Sequence, residues 1–135
     1  MIHAQYAYMS NTSTPQLPTA VMPYNVLVGK ILQRHRETSG ISQSEVAAAA
    51  GLTQSAYSRI ESGQTALTIS HLHVIANALG KKPDEIMREV EDVSERLVSQ
   101  HVSVPFEKPE NNDNAKAALF LGLGVLLVIL AAASK

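Results

Sequence analysis

The sequence lacks the residues and motifs on which most enzymes depend. It contains no cysteine, which excludes disulfide bonds, thiolate metal ligands and a cysteine nucleophile and is typical of a reducing compartment. It also lacks a glycine-rich phosphate loop, a nucleophile elbow and a pair of catalytic carboxylates. His71 and His73 are two positions apart, so on a helix they do not share a face and do not form a metal site. We therefore predict that the protein is not an enzyme and uses no metal or other cofactor.

Strand-like alternation of apolar and polar residues is also absent from the middle of the chain, and patterns of another kind divide the sequence. Residues 1–23 carry no charged side chain and contain three prolines, which predicts a disordered arm. Residues 24–88 have the apolar periodicity of helices and predict a small all-helical domain. Residues 89–100 continue as a helical stalk, and residues 101–116, with two prolines and a polar run, predict a linker.

The stalk carries an apolar seam, at spacings of four, three and four residues, that is typical of a short coiled coil. The seam consists of Ile86, Val90, Val93 and Leu97. It would favour pairing of two copies. Charge is unevenly distributed as well: residues 24–88 hold seven basic and five acidic side chains, whereas four basic and seven acidic side chains follow. A polyanionic partner would therefore meet the helical domain.

The C-terminal segment is an apolar run between Lys116 and Lys135. As a helix, residues 117–134 would span about 27 Å, close to the roughly 30 Å hydrocarbon core of a bilayer. The alternatives are a buried core helix or an oligomerising tail, but 135 residues form no core large enough to surround an apolar helix. We expect a single transmembrane helix in the cell inner membrane, with the helical domain in the cytoplasm.

Local signals within the helical domain predict two helices joined by a tight turn. Ser42 and Glu45 form a capping-box pattern at the start of the first helix. Gly51 ends that helix where a positive φ angle is needed. Thr53 caps the second helix, whose Tyr57 points inward while its polar residues point outward. This arrangement is a helix-turn-helix.

Residues 29–86 resemble the Cro/repressor (XRE-type) helix-turn-helix domain. The matching positions are Gly29, Leu32, Arg36, Ser42, Gln43, Ala47, Gly51, Ser58, Arg59, Ile60, Glu61, Gly63, Leu72, Ala76, Leu79 and Gly80. The resemblance implies an all-α fold, a five-helix lambda-repressor-like DNA-binding domain with helices at about 26–38, 42–50, 54–62, 69–79 and from 83 onward. It also implies that Arg36 and Glu61 form a partly buried structural pair.

The same resemblance implies a set of DNA-contacting residues. Gln43 matches a glutamine that contacts phosphate, and Gln54 matches the position that most often reads a base. A glutamine amide makes two hydrogen bonds with adenine in the major groove, and Arg59 suits a guanine edge or a phosphate. The full predicted set is Gln43, Thr53, Gln54, Ser55, Ser58 and Arg59.

Together these features predict a membrane-anchored, sequence-specific DNA-binding protein. Its partners would be double-stranded DNA, the membrane, a second copy in a homodimer on a palindromic operator, and a possible membrane protein. Transcriptional regulation and tethering of a DNA locus both fit, as does an antitoxin-like repressor. The alternative is an adaptor similar to the bacterial cell-shape protein RodZ, whose helix-turn-helix domain binds a protein partner instead of DNA.

Overall fold

Six helices make up most of residues 19–108 and 110–133, which are the residues described by this computed structural model. They are α1 (Tyr24–Thr38), α2 (Gln43–Ala50), α3 (Gln54–Glu61), α4 (Ile69–Ala78), α5 (Pro83–Ser99) and α6 (Asp113–Ala133). The prediction of an all-helical fold, with a five-helix domain followed by one apolar C-terminal helix, is confirmed.

Local signals set the starts of α2, α3 and α4 and the end of α2. Ser42 and Glu45 form the full capping box at the start of α2, and Gly51 ends that helix with φ of 72°. Thr53 and Thr68 accept hydrogen bonds from backbone amides in the first turns of α3 and α4, respectively. These caps satisfy backbone donors that have no partner inside the helix.

The core lies where α1 to α5 meet, and its largest fully buried side chain is Tyr57. Other buried core residues are Leu27, Ile31, Leu32, Val46, Ile75, Ile86 and Val90. Helix α1 crosses α3 very closely at Gly29, since a Cβ atom there would lie 2.2 Å from the Glu61 carbonyl oxygen. Only glycine permits this distance between the two backbones.

Helix α5 includes both the end of the predicted domain and the predicted stalk. The four residues of its apolar seam are all buried, and α5 contacts α1, α4 and α6. The seam therefore packs within the chain, whereas we expected it to support pairing with a second copy. Its spacing could not reveal this difference, because an apolar stripe has the same pattern whether its partner is in the same chain or another.

The predicted arm and linker both include segments that pack against the helical domain. Residues 1–18 of the arm lie outside the described residues. Residues 20–24 run beside residues 103–105, through hydrogen bonds from the Met22 amide to the Ser103 carbonyl (2.8 Å) and from the Ser103 amide to the Ala20 carbonyl (2.9 Å). Met22 and Val102 are buried in the core. These apolar side chains give ordered structure to stretches whose overall composition is polar.

Helix α6 begins at Asp113, four residues before the predicted start at 117. The Asn112 side chain accepts a hydrogen bond from the Ala115 amide at 2.8 Å, so part of the predicted linker is the N-terminal cap of a helix. The helix lies against α5 and buries one face: Ala118, Gly122, Leu126 and Ile129. By length and composition it is suited to cross a membrane.

Candidate nucleic-acid interface

The turn between α2 and α3 fixes the two helices as a rigid pair. The Leu52 amide donates a hydrogen bond to the Ala47 carbonyl at 2.8 Å, and the Gly51 amide donates to the Ala48 carbonyl at 3.2 Å. Val46 and Ala47 are buried, and the small Ala47 side chain permits close packing. Tyr57 and Ile60 bury the inner face of α3. The outer face of α3 is therefore held in a defined orientation.

Three of the predicted DNA-contacting side chains lie exposed on this outer face of α3. Gln54 is the first residue of the helix, Ser55 follows it, and Arg59 lies one turn further on. The Arg59 guanidinium donates a hydrogen bond to the Ser55 hydroxyl at 3.3 Å. Arg59 is the one basic residue between positions 43 and 61, so this surface has little net positive field. Binding of DNA at this surface would therefore depend on individual polar contacts.

Ser44 holds the Gln54 side chain, a contact that the sequence did not predict. Its hydroxyl donates a hydrogen bond to Gln54 Oε1 at 3.0 Å. The Gln54 Nε2 group keeps its donors, and Oε1 keeps a second lone pair. The amide is therefore positioned while both of its ends remain able to bond a base. The sequence offered one signal, a polar residue at the second position of α2, but nothing indicated its partner.

The remaining predicted residues are oriented differently. Thr53 is exposed, but its hydroxyl oxygen accepts from the Ala56 amide at 3.1 Å as the α3 cap. The Gln43 amide donates to Glu61 Oε1 at 3.1 Å. Gln43 and Ser58 line a shallow cleft beside Lys30 of α1. Lys30 was not predicted as a site residue, and it supplies the positive charge next to Gln43.

Arg36 and Glu61 form a buried ion pair behind the α3 surface. Arg36 donates two hydrogen bonds to the Glu61 carboxylate, from Nη2 at 2.8 Å and from Nε at 2.9 Å, and a third to the Ile41 carbonyl at 2.9 Å. The two side chains are 13% and 4% exposed. Burial alone would raise the pKa of Glu61, but hydrogen bonds from Arg36 and Gln43 and the charge of Arg36 lower it overall. The pair thus neutralises a carboxylate close to the interface and joins α1 to α3.

Comparison with known proteins gives matches to this part of the chain. A family model described as Helix-turn-helix matches residues 32–86. Among curated proteins, none matches the sequence significantly.

Several solved structures are similar. The clp gene regulator ClgR from Corynebacterium glutamicum is 21% identical, with a TM-score of 0.54 over 57% of this chain and 82% of that chain. A point mutant of the restriction-modification controller protein C.Esp1396I is 22% identical, with a TM-score of 0.50 over 58% of this chain and 96% of that chain. The controller protein C.AhdI from Aeromonas hydrophila is 31% identical, with a TM-score of 0.44 over 45% of this chain and 92% of that chain. The two matches with a TM-score of 0.50 or more show that this chain shares its fold with ClgR and C.Esp1396I.

Proposed function

We propose, from the match of residues 32–86 to the helix-turn-helix family model, that this protein is a sequence-specific DNA-binding regulator of transcription. The observation that carries the proposal is the exposed outer face of α3, where Gln54, Ser55 and Arg59 stand together on a helix whose orientation is fixed by its buried face. A helix presented in this way fits the major groove of B-form DNA.

Base recognition is assigned to Gln54 and Arg59. The Gln54 amide, held by Ser44 at 3.0 Å, can donate to N7 of adenine and accept from its N6 amino group. Arg59 can donate two hydrogen bonds to a guanine edge. Each such contact contributes roughly 1–3 kcal/mol of discrimination against a wrong base. Preorganisation of Gln54 reduces the conformational entropy that is lost on binding.

Phosphate contacts are assigned to the cleft side of the same surface. Lys30 and Gln43 line the shallow cleft between α1 and α3, and the exposed Thr53 hydroxyl marks the N-terminus of α3. A helix N-terminus favours an anionic phosphate, because its first amides carry partial positive charge. These groups would fix the position of α3 on the DNA without reading its sequence.

Binding as a homodimer to a palindromic operator is part of the proposal. Two copies would place their α3 helices in successive major grooves, about 34 Å apart. Since the α5 seam is buried within the chain, the dimer contact would use another surface.

We also propose that α6 is a single-pass anchor in the cell inner membrane, with the helical domain in the cytoplasm. Its 21 residues extend about 32 Å as a helix, enough for a hydrocarbon core of about 30 Å. Its most apolar stretch of 18 consecutive residues has a mean hydropathy of 2.4. Carbonate-washed membranes should retain the full-length chain, and release of the protein by this wash would refute the anchor.

The DNA proposal is tested by crosslinking and sequencing of the DNA bound to the full-length protein in its native cell. Enrichment at a few palindromic loci should disappear in a Gln54→Ala, Arg59→Ala double variant. An Arg88→Ala variant is the matched control, because Arg88 is exposed on α5 and is not part of the α3 surface. It should retain the enrichment.

Absence of enrichment in all three proteins would refute DNA binding. The weak positive field around Arg59 would then favour the RodZ-like adaptor, in which the same exposed face binds a protein partner. Capture of a protein partner that requires Gln54 and Arg59 would support that function.

A further inference from the structure

The apolar helix α6 meets the segment 20–22 through a contact between two backbones. The Val21 amide donates a hydrogen bond to the Ala118 carbonyl at 2.9 Å. One turn further along α6, a Cβ atom on Gly122 would lie 2.1 Å from the Val21 carbonyl oxygen and 2.7 Å from its carbonyl carbon. Such distances are far below van der Waals contact, so only glycine fits at position 122. The contact between α6 and Val21 therefore depends on the absence of a side chain at position 122.

The segment that receives α6 is itself held in the folded domain. Met22 is completely buried and donates a hydrogen bond to the Ser103 carbonyl. Around this contact, Leu126 of α6 is 1% exposed and Ile129 is 9% exposed. Residues 20–22 together with α5 thus form a built surface for one face of α6, which we call the docking site.

The opposite face of α6 has no such cover. Phe120 is 77% exposed, Val128 is 70% exposed and Leu127 is 65% exposed. Docking removes only one face of this apolar helix from water. A bilayer would cover both faces, but the face containing Ala118 and Gly122 cannot contact lipid and Val21 at the same time.

We infer that α6 has two mutually exclusive positions, docked on residues 20–22 and α5 or inserted in the bilayer, and that the docking site competes with lipid for the helix. This inference rests on the proposed membrane anchoring. Residues 103–105 remain paired with residues 20–24 in the docked domain, and α6 begins at 113. The tether after release is therefore residues 106–112, which reach at most about 25 Å when extended.

The two glycines of α6 provide a matched test. Gly122→Ala places a methyl group against the Val21 carbonyl, whereas Gly124 has no atom within 4 Å of its Cβ position. Both substitutions add the same methyl group to the same apolar helix, so they change its helix propensity and hydropathy equally. Only Gly122→Ala should displace α6 from the docking site.

Docking is measured on the full-length chain, made by cell-free synthesis without lipid. Because the chain has no cysteine, Leu126→Cys and Leu127→Cys each introduce a unique thiol, one buried on docking and one exposed. A maleimide should label Leu126→Cys at least about fivefold more slowly, and Gly122→Ala should remove most of this difference, as expected for overpacking at a docked surface. Gly124→Ala should preserve it. Hydrogen exchange of the Val21 amide provides a second measurement that needs no cysteine.

Competition is then measured by flotation with vesicles of phosphatidylcholine and phosphatidylglycerol. Gly122→Ala should raise the floated fraction above that of Gly124→Ala. Equal labelling of the two thiols in the otherwise unchanged chain, together with fast Val21 exchange and equal flotation of all variants, would overturn docking and leave the anchor standing. A protected Leu126→Cys without flotation of any variant would overturn the anchor and the competition, and α6 would be a helix of the folded domain only.

Discussion

Replacing Arg36 with methionine should destabilise the domain far more than loss of a surface arginine. The Arg36 guanidinium makes three hydrogen bonds, two to Glu61 and one to the Ile41 carbonyl. Methionine resembles the apolar stem of arginine but has no hydrogen-bond donor. The variant leaves the Glu61 carboxylate, which is 4% exposed, without its ion partner, although Gln43 still donates a hydrogen bond to it at 3.1 Å. A buried charge without its ion partner costs about 3–5 kcal/mol.

This cost is a large share of the total stability, which is typically about 5–15 kcal/mol for a domain. Glu61 also lies at the C-terminal end of α3, where the helix dipole disfavours a carboxylate. Removing the Glu61 charge from the Arg36→Met variant should therefore recover stability. The double variant Arg36→Met, Glu61→Met should be more stable than Arg36→Met alone, because apolar replacement of a whole buried pair is often nearly neutral.

Urea unfolding of the full-length protein, followed by far-ultraviolet circular dichroism, measures these differences. Arg88→Met is the control, since Arg88 is 75% exposed and lies 3.8 Å from an exposed Asp84; its effect should stay within about 0.5 kcal/mol. An Arg36→Met variant as stable as Arg88→Met would refute the importance of the buried pair. Additive losses in the double variant would refute the coupling between the two residues.

Three further predictions follow from single contacts. The pKa of Glu61 is below its ordinary value of 4.5, so the contribution of its carboxylate to stability is present above about pH 4.5 and is lost as the pH falls through the lowered pKa. The midpoint of thermal unfolding should therefore drop on acidification, and it should drop less steeply in Glu61→Gln. Gly29→Ala should lower the free energy of unfolding, since a Cβ atom 2.2 Å from the Glu61 carbonyl oxygen costs more than the gain of about 1 kcal/mol in helix propensity. A Gly29→Ala variant that gains as much stability as Gly124→Ala would contradict the close crossing of α1 and α3. Ser44→Ala should weaken operator binding about two- to twelvefold, because it removes one hydrogen bond. Fluorescence anisotropy should show a smaller loss of affinity than for Gln54→Ala, and unchanged affinity would show that Ser44 does not position Gln54.

The helical domain could be predicted because its signals are local. The capping box at Ser42 and Glu45, the positive φ at Gly51 and the cap at Thr53 each lie within a few residues of the helix end that they determine. Hydrogen bonds of this kind form wherever the chain is locally helical. The family resemblance then supplied the arrangement of the helices, which local signals alone do not give.

Contacts between distant segments could not be predicted in the same way. Val21 and Gly122 are about a hundred positions apart, and a glycine in an apolar helix is equally consistent with close packing against lipid, a second helix or this chain's own backbone. The Ser44 to Gln54 hydrogen bond depends on the relative orientation of α2 and α3, which is a property of the folded turn. Burial of the α5 seam likewise depends on where α1, α4 and α6 pack.

The docking of α6 is compatible with an exposed α3 face in this fold. Helix α6 contacts α5, whereas α3 contacts α1 and α2, and Gln54, Ser55 and Arg59 remain exposed while α6 is docked. Release of α6 would therefore change where the proposed DNA-binding face is located and leave its contacts intact. With a tether of about 25 Å, the inserted form would reach only DNA close to the bilayer, and the docked form would be free to reach loci elsewhere. A shift between the two positions of α6 would thus select among operators by their distance from the membrane, with the same preference for base sequence in both forms.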